Sequence, residues 1–307
     1  MPWFKDLNLN PDIDMLWLVH HDQRTSLSEL QASPVWKSRK NIFLLDNEQV
    51  LHNEQWQDDS RIHVWSPVYT PMQRSNLWLF WFDWMQEIET HLNFMSKLAS
   101  VDSKPFLFDA LLGTSRQHKD IIDNFVTNST LGSKIFYRYV GTCQNAGGLH
   151  THGADEELPN GDVMYNKVQI ANASVIVPYI IFNQCWYTLV AETSDLHPNF
   201  YTEKTGKPLL AKRLFVMFAG KHHLKNLKAF GFRTFDGIID EGYDDIDDTE
   251  TRYEQAWKQV EFLAKQDPLK IYKLAQPILE HNHRHFMQTN WKKEMHQTIQ
   301  NISHSSK

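Results

Sequence analysis

The sequence is poor in the residues that mark small secreted scaffolds. Only two cysteines occur among 307 residues, Cys143 and Cys185, so no disulfide framework is predicted. The opening residues MPWFKDLNLN have neither the basic start nor the apolar run of a secretion signal. We therefore expect a protein of the reducing cytoplasm.

Long apolar runs are also lacking. The segment WLFWFDWM at 78–85 is far shorter than the roughly 20 residues of a membrane helix, and Asp83 interrupts it. There is no repeat and no low-complexity tract, and the apolar and charged fractions of 41% and 22% are typical of a globular protein with a sizeable core. The sequence has no GxxxxGK[ST], GxGxxG or GxSxG motif, which disfavours a P-loop kinase, a dehydrogenase and a serine hydrolase.

The formal net charge of −6 argues against a generally basic surface for nucleic acid. Much of the excess acid lies between Asp236 and Glu254, in a stretch typical of a solvated loop and helix start. A local cluster of Lys37, Arg39 and Lys40 could still contact phosphates.

Strands alternate with helices along the whole chain, which predicts an α/β fold with two Rossmann-like layers facing a cleft. The predicted strands are 13–19, 41–46, 61–65, the start of 76–98, 104–109, 134–140, 186–191, 213–218 and 232–235. The predicted helices are the remainder of 76–98, then 116–127, 203–211, 221–229, 249–265 and 268–295. Residues 141–162, rich in Gly, Asn, His and Asp, are the best linker candidate, so we expect a first domain over 1–160 and a second domain over 161–307.

The segment from Val190 to Asp244 carries the most informative chemistry. Thr202 is placed to cap a helix beginning at Glu203, whose first-turn amides and partial positive charge would attract an anion. Lys204, Lys207 and Arg213 follow within a few residues and could hold a diphosphate together with those amides.

A carboxylate beside these cations suits a sugar carried on a nucleotide, because Glu203 can accept from two sugar hydroxyls. On spacing alone, a capped and charged first turn explains the same residues. Glu192, at the carboxyl end of a predicted strand, is either a residue of the cleft or the partner of a neighbouring lysine.

A family resemblance adds to these patterns. The chain contains ET at 192–193, TEKTGKP at 202–208, VMFAG at 216–220, GFRTF at 231–235 and DEGYD at 240–244. In this order the segments resemble glycosyltransferases found in bacteriophages, large viruses and bacteria, which are distantly similar to the α-fucosyltransferases. The resemblance covers about residues 175–250. A weaker match at 111–120 has Lys119 where the family's basic cluster has a second arginine.

The resemblance implies a GT-B-like fold and a UDP- or GDP-sugar as co-substrate, with no required metal ion. It implies that Glu203 takes the ribose or the donor sugar, while Lys204, Lys207 and Arg116 neutralise the diphosphate. The other residues that we assign to the donor side are Glu192, Thr202, Thr205, His118 and Tyr243, although Tyr243 fits an ordinary loop equally well. The family usually has a bulkier residue at the position of Gly206 and often Ser at that of Gly242.

An inverting reaction would need a base near the acceptor hydroxyl, at the strand ends of the first domain. The candidates are His21 and Asp22 after the first strand, with Asp109 behind them, although each also fits a turn or a cap. Inversion and retention are both open. The acceptor is a glycan, a lipid-linked sugar or a hydroxymethylated base of phage DNA, and in the last case the compartment is the host cytoplasm.

Two aromatic or histidine patterns have simpler explanations. His281, His283 and His285 lack the glutamate of a zinc motif, so a packing or surface role is favoured over a metal site. Trp78, Trp81 and Trp84 recur every third residue, which favours a core-facing stripe over a sugar platform.

The alternatives to a transferase are a catalytically inactive protein of the same fold that binds a sugar nucleotide or nucleic acid, and a structural interaction protein built on the aromatic first half. Donor hydrolysis would separate an active transferase from an inert binder, since a transferase leaks some sugar to water.

Overall fold

The chain folds into parallel β-sheets joined by helices, as seen in a computed structural model. The structure describes residues 14–19, 32–46, 61–65, 80–100, 103–113, 116–139, 156–157, 163–165, 168–170, 175–196, 201–294 and 297. The strands are β1 (Asp14–Val19), β2 (Asn41–Asp46), β3 (Ile62–Trp65), β4 (Phe106–Leu111), β5 (Ile135–Arg138), β6 (Glu156–Glu157), β7 (Val163–Tyr165), β8 (Val168–Ile170), β9 (Cys185–Ala191) and β10 (Phe215–Phe218). The α-helices are α1 (Pro34–Ser38), α2 (Phe80–Leu92), α3 (Gln117–Asn128), α4 (Tyr179–Phe182), α5 (Glu203–Leu210), α6 (His223–Ala229), α7 (Thr249–Leu263) and α8 (Pro268–Gln288).

The chain divides into two compact units, Met1–Phe80 with Asn290–Lys307, and Trp81–Thr289. In the first unit β1, β2 and β3 form a parallel sheet in that order. Helix α1 lies between β1 and β2 in the chain and is capped by Ser33, whose hydroxyl accepts from the Trp36 amide at 3.1 Å.

The second unit is organised around a four-stranded parallel sheet in the order β10-β9-β4-β5. Strand β9 is largely buried and β10 is buried along its whole length, as expected for strands covered on both faces, whereas the edge strand β5 is partly exposed. A separate antiparallel sheet is formed by β6, β7 and β8. The prediction of an α/β fold is therefore confirmed.

Helices cover the four-stranded sheet in aromatic layers. On α3, Phe125 stacks on Trp257 of α7 with ring centroids 5.5 Å apart, and α7 also packs on β10. Helix α5 packs on α8, and Phe82 of α2 lies 5.0 Å from Phe286 of α8. These aromatic contacts bury large apolar areas and hold the helix starts at fixed positions over the sheet.

Most predicted elements of the described residues occur at or near the predicted positions, including β2, β9 and α5. The strand predicted at 232–235 is wrong. Phe232 and Phe235 are buried, but the backbone of Arg233 bonds to the side chain of Asn282, and the Phe235 amide bonds to Glu241, so no neighbouring strand is paired.

The prediction for the tryptophan stripe is also wrong for the two members that the structure describes. Trp81 and Trp84 are half-buried and stack on each other at 5.7 Å, whereas Phe82 and Met85 form the buried face of α2. Trp78 lies outside the described residues. The same face explains Gly206 of α5, because a Cβ there would come 2.8 Å from the Met85 sulfur.

Strands from both sides of residue 160 share the four-stranded sheet, since β4 pairs with β9. The boundaries of the two compact units differ from the single boundary at residue 160 that the sequence predicted. Most of the predicted linker 141–162 lies outside the described residues, and Glu156–Glu157 within it form β6. None of the described helices has the combination of length and apolarity that crossing a bilayer requires.

Candidate functional site

The structure brings together two segments that the sequence analysis assigned to donor binding. Arg116 and His118 begin α3 after β4, while Glu192 follows β9 and Thr202 begins α5. The His118 Nε2 atom lies 3.0 Å from the Glu192 carbonyl oxygen, which joins the two segments at the carboxyl edge of the sheet.

This edge is a topological switch point. The central strands β4 and β9 are neighbours, but β4 leads through α3 outward to β5, whereas β9 leads through α5 outward to β10. Because parallel crossovers are right-handed, two crossovers in opposite directions place their helices on opposite faces of the sheet. At such a switch point, α/β sheets commonly bind ligands just beyond the carboxyl ends of the central strands, here β4 and β9.

Glu192 is fully buried and holds the start of α5 with its carboxylate. Its Oε1 accepts from the Thr202 amide at 3.0 Å, from the Thr205 amide at 3.3 Å and from the Thr205 hydroxyl at 2.5 Å. Its Oε2 accepts from the Thr202 hydroxyl at 2.7 Å and from the Thr193 amide at 3.1 Å. Five hydrogen bonds fix this buried carboxylate in place.

Glu192 therefore occupies the position that we predicted for the anion of a ligand. The Thr202 hydroxyl also accepts from the Lys204 amide at 3.2 Å, so Thr202 is the N-cap, as predicted. The amides of Thr202, Lys204 and Thr205 are consequently used within the chain. The prediction that first-turn amides hold a diphosphate is wrong for this structure, because the protein supplies its own carboxylate to the helix dipole.

Glu203 and Lys204 form a shielded ion pair beside this network. The Lys204 Nζ atom is 2.7 Å from Glu203 Oε1 and 3.1 Å from the Thr193 hydroxyl, and Glu203 is only 7% exposed. Burial alone would raise the pKa of Glu203, but Lys204 and Lys207 outweigh it and leave that pKa below its ordinary value. For Lys204, burial is outweighed by Glu203 and Glu192, so its pKa is raised. Both residues are therefore charged at neutral pH.

Three more cations lie close to this pair. Burial, with Lys204 and Arg116 nearby, lowers the pKa of Lys119 to about 7, although Glu192 and Glu203 oppose the effect. Burial also lowers the pKa of Lys207 to about 8. The Arg116 side chain is half-buried and has no hydrogen-bond or ion-pair partner among the residues that the structure describes. We call Arg116, Lys119, Lys204 and Lys207 the switch-point cations.

His118 has two fixed neighbours. In addition to the Glu192 carbonyl, its Nδ1 atom lies 3.4 Å from Asp195. Burial lowers the pKa of His118, against the opposing effects of the Glu192 carbonyl and Asp195. The imidazole therefore links the start of α3 to the segment after β9, which fits a positioning role.

His223 is a site-adjacent residue that the sequence analysis missed. It is completely buried, its Nε2 atom lies 3.4 Å from the Thr205 hydroxyl, and its Nδ1 atom has no partner in the described structure. Burial lowers its pKa to about 3, so the imidazole is neutral. Its position at the start of α6, five residues after β10 ends at the same sheet edge, is the sequence signal that could have identified it.

Asp109 lies within β4 and is buried in an ion pair with Arg213, whose Nη2 atom is 2.5 Å from Asp109 Oδ1. The Thr188 hydroxyl also donates to Asp109, at 3.1 Å. Arg213 precedes β10 and so lies at the opposite edge of the sheet from the switch-point cations. The expectation that Arg213 contacts the diphosphate is wrong, because α5 leads the chain from the switch-point edge of the sheet to the opposite edge, where Arg213 lies. Asp109 is therefore buried as the partner of Arg213, whereas a catalytic base would need an exposed position.

The remaining predicted residues have other surroundings. Tyr243 is buried, and its hydroxyl accepts from the Met217 amide of β10 at 3.3 Å, so it secures a strand end. His21 and Asp22 lie outside the described residues, and their role as the base stays a prediction.

No metal cluster is evident in the described part of the chain, where no group of three or more His, Cys, Asp and Glu side chains is placed to hold an ion. His281, His283 and His285 each contact a backbone carbonyl oxygen through one ring nitrogen, at 2.9, 2.7 and 2.7 Å. The three imidazoles are thus used in hydrogen bonds within the chain.

Comparison with known proteins adds no relative. No family model, no curated protein and no solved structure matches the chain.

Proposed function

We propose that the protein is a glycosyltransferase that moves a sugar from a UDP- or GDP-sugar to an acceptor hydroxyl. The observation that carries the proposal is the group of four switch-point cations around Glu203, at the switch point of a parallel sheet. The resemblance of residues 175–250 to phage, viral and bacterial glycosyltransferases supplies the reaction class.

The charges of this group suit a diphosphate. Four cations face two carboxylates, and the carboxylate of Glu192 is already used by the start of α5. The lowered pKa values of Lys119 and Lys207, about 7 and about 8, reflect burial that no neighbouring carboxylate fully offsets. A bound diphosphate would add negative charge beside both lysines and would favour their protonated form.

Side chains, and not helix amides, would then hold the donor. Arg116 can bind two phosphate oxygens with its planar guanidinium, while the lysines act as point charges. Glu203 is oriented by Lys204 and could accept from sugar hydroxyls without disturbing Glu192. This division of roles separates the helix support from ligand binding.

The same cations would assist the chemical step. Breaking the bond between sugar and phosphate develops negative charge on the leaving diphosphate and positive charge on the sugar ring. Fixed cations that gain from the added charge stabilise the transition state more than the ground state. We propose a GT-B arrangement with a second Rossmann-like domain for the acceptor, either a glycan or a hydroxymethylated base of phage DNA. His21 and Asp22 are the proposed bases there.

A sugar-nucleotide- or nucleic-acid-binding protein without activity is the second candidate. It is favoured by the ion pair between Asp109 and Arg213, which takes up the one proposed base among the described residues. Under this candidate the switch-point cations would bind phosphates without turnover.

Donor hydrolysis distinguishes the two. The wild-type protein should hydrolyse a UDP- or GDP-sugar to free nucleotide and sugar. Lys204→Met should abolish this hydrolysis. Lys221→Met is the matched control. Lys221 lies in the loop after β10 and is paired with Asp247. Nucleotide binding without any sugar release, with a range of donor sugars, would support the inactive binder and contradict the transferase.

A further inference from the structure

A cavity of about 290 Å³ lies at the opposite edge of the four-stranded sheet from the switch-point cations. It is bordered by Lys104 before β4, Trp186 at the start of β9 and Arg213 before β10, all within the second compact unit. None of the switch-point cations lines it. The seven residues of β9 separate the two sheet edges by roughly 20 Å.

Arg213 forms part of the cavity wall but has no donor left for a ligand. Its guanidinium donates to the Thr188 hydroxyl, to Asp109 and to the carbonyl oxygens of Phe182, Cys185 and Tyr187. A guanidinium has five N–H donors, and these five bonds use all of them. Lys212, also in the wall, is paired with Glu280 at 2.8 Å.

Lys104 differs from both. Its ammonium group donates to the Phe182 and Cys185 carbonyl oxygens, at 2.8 and 3.1 Å, and these are the same two oxygens that accept from Arg213. An ammonium has three donors, so one remains. No carboxylate lies within ion-pair distance of Lys104 among the described residues. Two cations thus share two carbonyl groups, and only Arg213 has a carboxylate partner.

Burial, followed by the proximity of Arg213, lowers the pKa of Lys104 to about 8, against smaller opposing effects of Cys185 and Asp109. The ammonium is held in place, and no carboxylate of the described residues pairs with it. The rest of the wall is mostly apolar or aromatic, with Leu98 and Leu269 beside Trp186 and Tyr272. The Lys104 Nζ atom lies 5.6 Å from the centre of the Trp186 ring, so charge and aromatic surface are adjacent.

We propose that this cavity is a second ligand site, which binds a small organic monoanion with an apolar or aromatic body. A carboxylate would accept from the remaining donor of Lys104, and the body of the ligand would lie against Trp186 and Tyr272. One unbalanced cation matches one negative charge, whereas the switch-point cations match a diphosphate. The volume suits a ligand smaller than a nucleotide, near the lower end of the roughly 300–1,000 Å³ range of small-molecule pockets.

The probe is 3-phenylpropionate, with the neutral 3-phenylpropanamide as its isosteric partner. Each is titrated into the full chain by ligand-observed NMR, at a pH below the Lys104 pKa of about 8. We expect the amide to bind about tenfold more weakly than the carboxylate, since a charge-assisted hydrogen bond is lost. Lys104→Met should weaken carboxylate binding by a similar factor and leave the amide unchanged.

The variant should fold, because Arg213 still donates to both carbonyl groups after Lys104 is replaced. The matched control is the double variant Lys212→Met, Glu280→Gln. Both residues line the same cavity as an ion pair, so removing both leaves its net charge unchanged, and the carboxylate affinity should stay within about twofold of wild type. Ala99→Phe fills the cavity without removing charge and should weaken both probes.

Saturating UDP or GDP should not displace 3-phenylpropionate. Displacement by either nucleotide would place the carboxylate among the switch-point cations and overturn the proposal. Equal affinity for the acid and the amide, undiminished binding to Lys104→Met, or no binding of the acid at millimolar concentration would overturn it as well.

Discussion

Glu192 and Thr205 lie 13 residues apart in the chain and share a buried hydrogen bond of 2.5 Å. With the two bonds from Thr202, this contact fixes the start of α5 to the end of β9. The protein thus places a carboxylate of its own at the amides that begin α5.

We predict that Glu192→Gln destabilises the protein by about 2–4 kcal/mol, because a neutral amide cannot accept from all five donors and brings two N–H groups that lack acceptors. Urea unfolding measures the loss. Glu280→Gln breaks only an exposed pair with Lys212 and should change stability by less than about 0.5 kcal/mol. Equal effects of the two substitutions would contradict the supporting role of Glu192.

Asp109 tests whether a predicted base is structural. Asp109→Ala should cost about 3–5 kcal/mol, since it leaves Arg213 charged and buried without its carboxylate. The double variant Asp109→Leu, Arg213→Met removes both charges and should recover most of that loss. A stable Asp109→Ala protein that loses only turnover would show that Asp109 acts in catalysis after all.

His223 should make the free energy of unfolding depend on pH in the acidic range. Its folded pKa of about 3 lies below the ordinary value of about 6.5, so the unfolded chain binds more protons between these values. Stability is therefore full above about pH 6.5 and falls by a few kcal/mol as the pH approaches 3, since each pKa unit is worth about 1.4 kcal/mol. His223→Gln removes this contribution. Unfolding free energies measured from neutral to acidic pH should fall less steeply in the variant, and parallel curves would refute the assignment.

Nucleotide binding should take up protons. Lys119 and Lys207, with pKa values of about 7 and about 8, are partly neutral in the free protein near those pH values. A bound diphosphate raises both pKa values, so affinity should fall as the pH rises through this range. Calorimetric titrations in buffers of different ionisation enthalpy measure the uptake. Lys207→Met should reduce it, and release of protons on binding would argue against the proposed diphosphate contacts.

The sequence predicted the elements well because the patterns are local. Strand β9 is an apolar run, and the start of α5 has Thr202 as a hydroxyl cap, which are signals within a few residues. The segment at 232–235 was predicted wrongly because a short run rich in Phe and Thr resembles a strand, while its backbone bonds to the side chains of Asn282 and Glu241, which no local pattern indicates.

The sequence indicated several residues of the candidate site, but it did not indicate which residues they contact. Asp109 and Arg213 are 104 residues apart in the chain. Their ion pair depends on the pairing of β4, which contains Asp109, with β9. The sequence predicted that Glu192 lies either in a cleft or beside a lysine, yet its carboxylate binds the helix amides. Burial decides such cases, and burial depends on the packing of the whole unit.

Calorimetric titration of the full chain with UDP and GDP tests the central claim most directly. We predict that at least one nucleotide binds, and that Arg116→Ala and Lys204→Met each weaken it by about tenfold or more, as expected for a lost charge-assisted contact. Glu203→Ala should weaken the corresponding UDP- or GDP-sugar in the same way, while Lys221→Met leaves every affinity unchanged. If neither nucleotide binds the wild-type protein, or if the Arg116 and Lys204 variants bind as tightly as wild type, the switch-point cations do not hold a donor.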